Sequence, residues 1–213
     1  MGVNMAGNCI CDDEVCQEAS RQEIIRRYYQ AKCDFLRGNI PDTEVFKLEL
    51  LMKQAKVTTH DRAVVDVALA RAEETEGPAA ALELPDGRIV TGKTSNLLGP
   101  SAALILNALK ELAGIDHELH VISPAAIEPI QTVKTRYLGG KNPRLHIDEV
   151  LIALSMSTAT NQVAQIAMEQ IPKLKGCQAH TSVMLSSVDI KLFKKLGIQL
   201  TSEAKYENKP LYY

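Results

Sequence analysis

The sequence predicts an α/β fold of the α+β kind, with a helical subdomain at residues 1–76 and an α/β subdomain at residues 77–213. The first region carries apolar residues at the spacing of amphipathic helices and has no strand pattern. The second region begins with two short strands around a turn and then alternates helices with three more strand patterns. This order predicts a mixed five-stranded sheet in three layers, with helices on both faces.

Three helices are expected in the first subdomain. In each of them the apolar residues fall on one face, which is the pattern of a helix with one side buried. Acidic residues at the start of the first favour the N-terminal end of the helix dipole. The predicted helices run from Asp12 to about Leu36, from Pro41 through Ala55, and from Thr58 or Thr59 to near Gly77.

A phosphate-loop pattern occurs at residues 87–94, GRIVTGKT, which fit the expression G-x-x-x-x-G-K-[ST]. Such a loop binds phosphate only when a buried strand ends at its first glycine and a helix begins at its Lys-Thr. Here residues 85–87, PDG, are a turn signal between two strand patterns, and the next helix begins only near Ser101. We therefore favour a β-hairpin followed by a polar loop over a Walker-type nucleotide site.

The rest of the second subdomain alternates helices and strands. Residues 102–113 are apolar almost all round, which predicts a helix that is covered on most sides. Residues 123–124, Ser-Pro, are typical of the start of another helix. The predicted elements after the hairpin are helix 102–113, strand 119–122, helix 123–138, helices 146–157 and 161–173, strand 179–185, helix 188–196 and strand 198–201.

Composition argues against several classes of protein. The chain has 213 residues, of which 46% are hydrophobic and 23% charged, as expected for a globular protein with one or two cores. No apolar run approaches the roughly 18 residues that span a bilayer, and no signal-peptide pattern is present, so we expect a cytoplasmic protein without membrane contact. The net charge of −2, the absence of Trp and the lack of a basic run argue against nucleic-acid binding. The five cysteines have no paired spacing, which predicts reduced thiols and no metal site.

The order hairpin, helix, strand, helix resembles the architecture of the cytidine deaminases. In that family the later of the two helices begins with Pro-Cys-x-x-Cys, whose thiolates help to hold the zinc ion that activates water. Here Pro124 is followed by Ala125, Ala126, Ile127 and Glu128. The resemblance therefore implies a deaminase-like topology without the zinc site.

A closer resemblance extends along the whole chain. The strings GVNMAGNCI, ASRQEIIRRYY, ELPDGRIVTGKTSNLLGPSAA, AAIEPIQ, NPRLHIDEVLIALS and KLGIQLTSEAKY are similar to the C-terminal part of domain-of-unknown-function family 1846, also called uncharacterised protein family 0371. The resemblance implies a longer protein whose N-terminal half carries a phosphate loop of its own. The chain thus looks like a fragment that lacks this half. A nucleotide is implied for the full-length family, but neither a cofactor in this fragment nor a reaction.

The loop between the hairpin and the next helix is the first candidate site. It places Lys93, Thr94, Ser95 and Asn96 just before one helix N-terminus, and Ser123 opens another helix. Two helix N-termini that meet at one place, with a lysine beside them, would bind a small anion. Alternatively, these side chains cap helices and hydrogen-bond the backbone of their own loop.

Residues 141–149, KNPRLHIDE, are the second candidate site. His146 is a candidate catalytic acid or base with Asp148 or Glu149 beside it, and Arg144 is a candidate phosphate contact. Alternatively, this stretch is a charged helix start in which the two carboxylates complement the helix dipole. Only geometry decides between these readings.

Two functions from different classes remain open. In one, the chain is the C-terminal portion of an enzyme that handles a nucleotide or a phosphorylated metabolite, and Lys93, Arg144 and His146 contact a small anionic ligand. In the other, it is a non-catalytic binding or assembly module with a vestigial deaminase-like pocket, which packs against the N-terminal half or against copies of itself. Clustering of Lys93, Ser123, Glu128 and His146 around one pocket would favour the enzyme.

Overall fold

The chain forms two compact units, Met1–Arg62 and Ala63–Tyr213, of which the computed structural model describes residues 12–207. The division into domains at 76 and 77 stays a prediction. By its contacts, however, the helix α3 (Ala63–Glu74) lies with the second unit, because it packs against the sheet.

The first unit is helical, as its apolar spacing predicts. Asp12 caps the first helix, because its carboxylate accepts a hydrogen bond from the backbone N–H of Val15 at 3.0 Å. The side chain of Gln22 donates to the carbonyl of Asp61 at 2.7 Å, which ties a following turn to that helix. The elements are α1 (Asp13–Leu36), α2 (Asp42–Ala55) and a 3-10 turn (Thr59–Asp61).

The second unit is built on a mixed sheet whose strand order, among the described residues, is β2-β1-β3-β4. β1 pairs antiparallel with both β2 and β3, and β3 pairs parallel with β4. The run Ala79-Ala80-Ala81-Leu82 of β1 is fully buried, since neighbouring strands and helices enclose it. The strands are β1 (Ala79–Glu83), β2 (Ile89–Lys93), β3 (Gln178–Thr181) and β4 (Gln199–Ser202).

The predicted hairpin is confirmed by β1 and β2. Gly87 takes a φ of +83° in the turn, a conformation that favours glycine. Gly92, the second glycine of the phosphate-loop pattern, lies inside β2 against the helix α4 (Pro100–Ala113). A Cβ atom at this position would lie 2.2 Å from the backbone nitrogen of Leu104. Glycine is therefore required here for close packing of a strand on a helix.

Helices cover both faces of the sheet, as predicted. On one face, Val64 and Ala68 of α3 pack against Ala81. On the other, α4 forms the centre of a larger core that also contains Phe193 and Ile198. No helix within residues 12–207 has the length and apolar character needed to cross a membrane. The remaining helical elements are α5 (Pro124–Thr132), a π-helical turn (Val133–Tyr137), α6 (Ile147–Ser157), α7 (Gln162–Met168), a 3-10 turn (Ile171–Leu174) and α8 (Ser187–Lys195).

The prediction of five strands is wrong for the described residues, because residues 119–122 form no strand. Val121 and Ile122 are buried in the core, which accounts for their apolar pattern. Just before them, the buried ammonium group of Lys110 in α4 donates to the carbonyl of His117. This bond holds the chain in a turn against α4 instead of beside another strand.

The deaminase-like topology is not supported. That resemblance depends on a strand between the two helices that follow the hairpin, and this is the strand that does not form. The strand that pairs with β1 on the side away from β2 is β3, which comes from much later in the chain and runs antiparallel to β1. Pro124 therefore marks only the start of α5, and its neighbours carry no information about a lost zinc site.

Candidate functional site

The second unit contains a cleft of about 730 Å³. Its walls come from the C-terminal end of α3, the loop after β2, the residues after β3 and the segment 203–207 after β4. Four residues singled out from the sequence, Thr94, Ser95, Asn96 and Arg144, line this cleft. Carboxylates outnumber cations in its lining, which includes Glu73, Glu76, Glu203 and Glu207 against Arg144 and Lys205.

A smaller pocket of about 20 Å³ shares Arg144, Val183 and Glu207 with the cleft. Such a volume holds about one water molecule. His146 and Asp189 belong to its polar lining. The two cavities are therefore neighbours, and the side chains that they share form part of the wall of each.

Arg144 is fixed at this wall through its backbone and its side chain. Its backbone N–H donates to Asn142 Oδ1 at 3.0 Å, and its carbonyl accepts from Lys134 Nζ at 2.6 Å. Its guanidinium donates through Nη1 to Glu207 Oε1 at 2.7 Å. The two side chains are only 15% and 11% exposed, so this ion pair is shielded from water more than a surface pair is.

His146 and Asp189 form a hydrogen-bonded pair. His146 Nδ1 lies 3.0 Å from Asp189 Oδ2, and the backbone N–H of Ile147 donates to Asp189 Oδ1 at 3.1 Å. Ser186 Oγ lies 3.2 Å from Asp189 Oδ2 and caps α8 by accepting from the backbone N–H of Asp189. Asp189 is buried, whereas the His146 side chain keeps 20% of its surface exposed. Because Nδ1 faces the carboxylate, Nε2 is the nitrogen left for another partner.

The pair shifts the pKa of both members. The hydrogen bond that His146 donates to Asp189 outweighs partial burial and raises the pKa of the His146 imidazole above its ordinary value. Burial alone would raise the pKa of Asp189, but hydrogen bonds from His146 and from the Ile147 backbone outweigh it and hold that pKa below its usual range. The pair therefore favours imidazolium beside carboxylate.

Asp148 and Glu149, the carboxylates proposed from the sequence as partners of His146, have other contacts. Glu149 Oε2 accepts from the backbone N–H of His146 at 2.7 Å and from Lys134 Nζ at 2.8 Å. Asp148 Oδ1 accepts from the backbone N–H of Glu149 at 2.9 Å. These are the bonds of a helix start, so the charged-helix alternative describes both carboxylates.

The polar groups of the loop after β2 mostly form hydrogen bonds that hold the loop itself in place. Ser95 Oγ accepts from the N–H groups of Leu97 and Leu98 at 3.2 and 3.0 Å, and the carbonyl of Asn96 accepts from Gln131 Nε2 at 3.2 Å. The hydroxyl of Thr94 is different, since it is buried and has no hydrogen-bond partner among the described residues. Ser95 is therefore used by its own loop, whereas the Thr94 hydroxyl is left unsatisfied at the cleft.

Lys93, Ser123 and Glu128, which the sequence suggested would join His146 at one pocket, line neither of these two cavities. Lys93 is an exposed side chain at the end of β2. Ser123 is exposed at the start of α5, where its carbonyl accepts from the backbone N–H of Ala126 at 2.9 Å. These two cavities are therefore not the site that the sequence predicted, in which Lys93 and Ser123 meet at two helix N-termini.

Asp189 and Glu207, which complete the arrangement, were not singled out from the sequence. Ser186 and Asp189 have the spacing of a helix cap, which is not a signal of a site, and they do form such a cap. Nothing local connects Asp189 with His146, 43 residues earlier, or Glu207 with Arg144, 63 residues earlier. In residues 12–207, no group of three or more His, Cys, Asp or Glu side chains is arranged to hold a metal ion.

Two family models match the chain. Residues 60–212 match "Domain of unknown function DUF1846, C-terminal", and residues 1–56 match "Domain of unknown function DUF1846, N-terminal". The chain thus carries residues of both regions, and the expectation that it corresponds to the C-terminal part alone is not confirmed.

Relatives with the same family name come from several bacteria. The chain is 55% identical over 212 residues to a UPF0371 protein of Corynebacterium efficiens, 54% to one of Corynebacterium glutamicum and 51% to one of Streptococcus thermophilus. Each alignment covers 100% of this chain and 43% of the relative, so the chain spans less than half the length of these proteins. The chain belongs to the DUF1846 family, also named UPF0371, whose function is uncharacterised.

Proposed function

We propose that the second unit carries the acid–base centre of an enzyme that acts on a small anionic metabolite, such as a nucleotide or another phosphorylated compound. His146 transfers the proton, Asp189 positions it, and Arg144 binds the anionic group. The observation that carries this proposal is the buried Asp189 carboxylate against His146 Nδ1, in a pocket that shares a wall with the large cleft.

The chemistry follows from the orientation of the imidazole. A carboxylate at Nδ1 selects the tautomer in which Nε2 is the basic nitrogen, and it stabilises the imidazolium that forms when Nε2 accepts a proton. The raised pKa of His146 has the same cause. His146 Nε2 has no hydrogen-bond partner among the described residues, so it is the atom that meets the substrate.

The ligand class follows from Arg144 and the size of the cleft. A guanidinium binds carboxylate or phosphate through parallel hydrogen bonds, and a volume of about 730 Å³ suits a metabolite. Thr94 adds a buried hydroxyl that needs a partner. In the proposal, Ser95 and Asn96, which also line the cleft, are secondary contacts, whereas Lys93 and Ser123 lie outside it, and no cofactor is held by this chain.

The proposal for the longer relatives goes further. In these relatives, nucleotide chemistry lies mainly on residues outside this chain, and the chain is the C-terminal part of the whole protein, packed against the remainder in the cytoplasm. Homo-oligomers and the absence of nucleic-acid and membrane partners belong to the same proposal.

A second candidate is a non-catalytic assembly module. The observation that favours it is a set of large apolar side chains left exposed in the second unit. Tyr137 and Leu138, at the end of the π-helical turn, are 71% and 77% exposed, and Met156 of α6 is 72% exposed. Exposed apolar groups of this size are typical of surfaces that meet another protein.

A ligand screen with three variants tests the proposal. The full chain is screened by thermal shift against nucleotides and sugar phosphates, and each ligand that raises the melting temperature is then followed for conversion by NMR. We expect Arg144→Gln to lose binding, and His146→Gln to bind the ligand but not convert it. His120→Gln removes an exposed imidazole of the same unit and should behave like the unmodified chain. Conversion by His146→Gln at the unmodified rate would rule out His146 as the catalytic group. The assembly module is favoured if no ligand binds and the chain self-associates in ultracentrifugation.

A further inference from the structure

We infer that Glu207 occupies the anion-binding position of Arg144, so that the anionic group of the ligand must displace this carboxylate in order to bind. Glu207 thereby sets the ligand class, an oxyanion that competes with a carboxylate for a guanidinium, and it controls the wall between the cleft and the His146 pocket. The role of His146 in this inference rests on the proposed function, but the exchange itself concerns only Arg144 and Glu207.

The ion pair is built from two held segments. The backbone of Arg144 is fixed by its bonds to Asn142 and Lys134, which sets where the side chain begins. The segment of Glu207 is held by the backbone N–H of Met184, which donates to the carbonyl of Lys205 at 2.8 Å. A contact of 2.7 Å between two side chains that are only 15% and 11% exposed is therefore a defined position for an oxyanion.

The volumes of the two cavities indicate why exchange matters. The pocket at His146 has about 20 Å³, too little for a metabolite, while the cleft has about 730 Å³. Arg144 and Glu207 belong to the lining of both. When a ligand oxyanion takes the place of the Glu207 carboxylate, the released side chain vacates the shared wall and the ligand lies beside the pocket of His146.

The chemistry of the exchange is a competition between two anions for one cation. Phosphate and carboxylate match the guanidinium fork in the same way, so a phosphate group can replace the carboxylate without a new cation. Because the Glu207 carboxylate is part of the same chain, it is present at Arg144 at a high effective concentration. It therefore weakens the binding of every free anion that competes for the guanidinium. Neutralising Glu207 should therefore strengthen anion binding beyond the gain from merely removing one negative charge from an acidic cleft.

Titration of the full chain with inorganic phosphate, followed by calorimetry and by NMR, tests this inference. We expect Glu207→Gln to tighten phosphate binding by about tenfold or more, because the tethered carboxylate no longer competes for the guanidinium. Glu73→Gln removes the same charge from the same cleft without touching Arg144, and we expect a change of less than about twofold, because a solvent-exposed charge is screened. Arg144→Gln should lose phosphate binding, and Arg144→Lys, which keeps the charge, should retain it weakly.

The outcomes separate this inference from the proposed function. Equal gains for Glu207→Gln and Glu73→Gln, or phosphate binding that is unchanged in Arg144→Gln, would overturn the exchange. If Arg144→Gln does not fold, the comparison of Glu207→Gln with Glu73→Gln decides alone. If the expected pattern holds but phosphate leaves the imidazole resonances of His146 unmoved, the exchange stands and His146 is not part of the ligand site.

Discussion

Residues 93–101 and residues 141–149 both lead from a polar loop into a helix, yet their side chains have different partners. In the first junction, Ser95 bonds to nitrogens two and three residues away. In the second, His146 and Arg144 bond to carboxylates 43 and 63 residues away. Local partners make a loop rigid, whereas distant partners bring chemical groups from separate elements to one place.

Two loops of similar polar composition can therefore differ in whether they form a site. The first junction owes its shape to Gly92, which lets β2 approach α4, and to the bonds of its own backbone. The second has its cap bonds too, through Glu149, but those bonds leave His146 Nδ1 and the Arg144 guanidinium to pair with groups outside the loop. The candidate site therefore lies at the second junction, whose side chains form hydrogen bonds with residues far away in the sequence.

The largest expected effect tests the packing role of the first junction. Gly92→Ala would place its Cβ 2.2 Å from the Leu104 nitrogen, and because both atoms belong to backbone, relief requires a strand or a helix to move. We expect a loss of about 3 kcal/mol or more in the free energy of unfolding, measured with urea. Gly99→Ala is the matched control, since its Cβ would meet nothing closer than the Leu145 carbonyl at 3.7 Å, and it should cost less than about 1 kcal/mol. Similar losses for the two variants would contradict the packing role.

A smaller effect is expected from breaking the second junction. Asp189→Asn keeps the size of the side chain but removes the negative charge of the carboxylate that faces His146 and accepts a hydrogen bond from the Ile147 N–H. We expect this change to lower the free energy of unfolding by about 2 kcal/mol. NMR titration should then find a lower pKa for His146. Asp148→Asn, on the same helix start as His146, should change stability by no more than about 0.5 kcal/mol. The assignment of Asp189 as the partner fails if Asp148→Asn lowers the pKa of His146 as much.

The smallest expected effect is a pH dependence. The pKa of His146 is raised in the folded state from its ordinary 6.5, so its stabilising contribution is complete below that value and is lost as the pH rises through the folded pKa. The pKa of Asp189 is lowered, so its contribution is present above its ordinary 3.8 and is lost as the pH falls through its folded value. The stability difference between the unmodified chain and His146→Gln should therefore be greatest in mildly acidic solution and decline toward alkaline pH. A difference that grows with pH would have the wrong sign for this pair.

Much of the fold was predictable because its signals are local. The PDG turn at 85–87 between two strand patterns indicated the hairpin, and the Ser-Pro pair at 123–124 indicated the start of α5. The absence of a strand at 119–122 could not be predicted, since Val121 and Ile122 show the same apolar pattern whether they join a sheet or fill a core. The pattern reports burial, while strand formation also needs a neighbouring strand with free hydrogen-bonding groups.

The candidate site was predictable only in part, for a related reason. Arg144 and His146 stood out because cations and imidazoles at a loop are visible in sequence. Their partners did not, because Asp189 looks like a cap residue of α8 and Glu207 like one charge in a polar tail. A pairing across dozens of residues is a property of topology, which single-sequence patterns do not encode.

The central position of β1 has a consequence for the order in which the protein is made. The backbone N–H of Ala79 bonds to the hydroxyl of Ser182, 103 residues later, and β1 lies between β2 and β3. On the ribosome, α3, the hairpin and α4 emerge long before β3. One edge of β1 therefore has no partner strand while the intervening helices are synthesised. A chain that is still being synthesised therefore has an open strand edge, and the pairings of His146 with Asp189 and of Arg144 with Glu207 must wait for residues that follow β3.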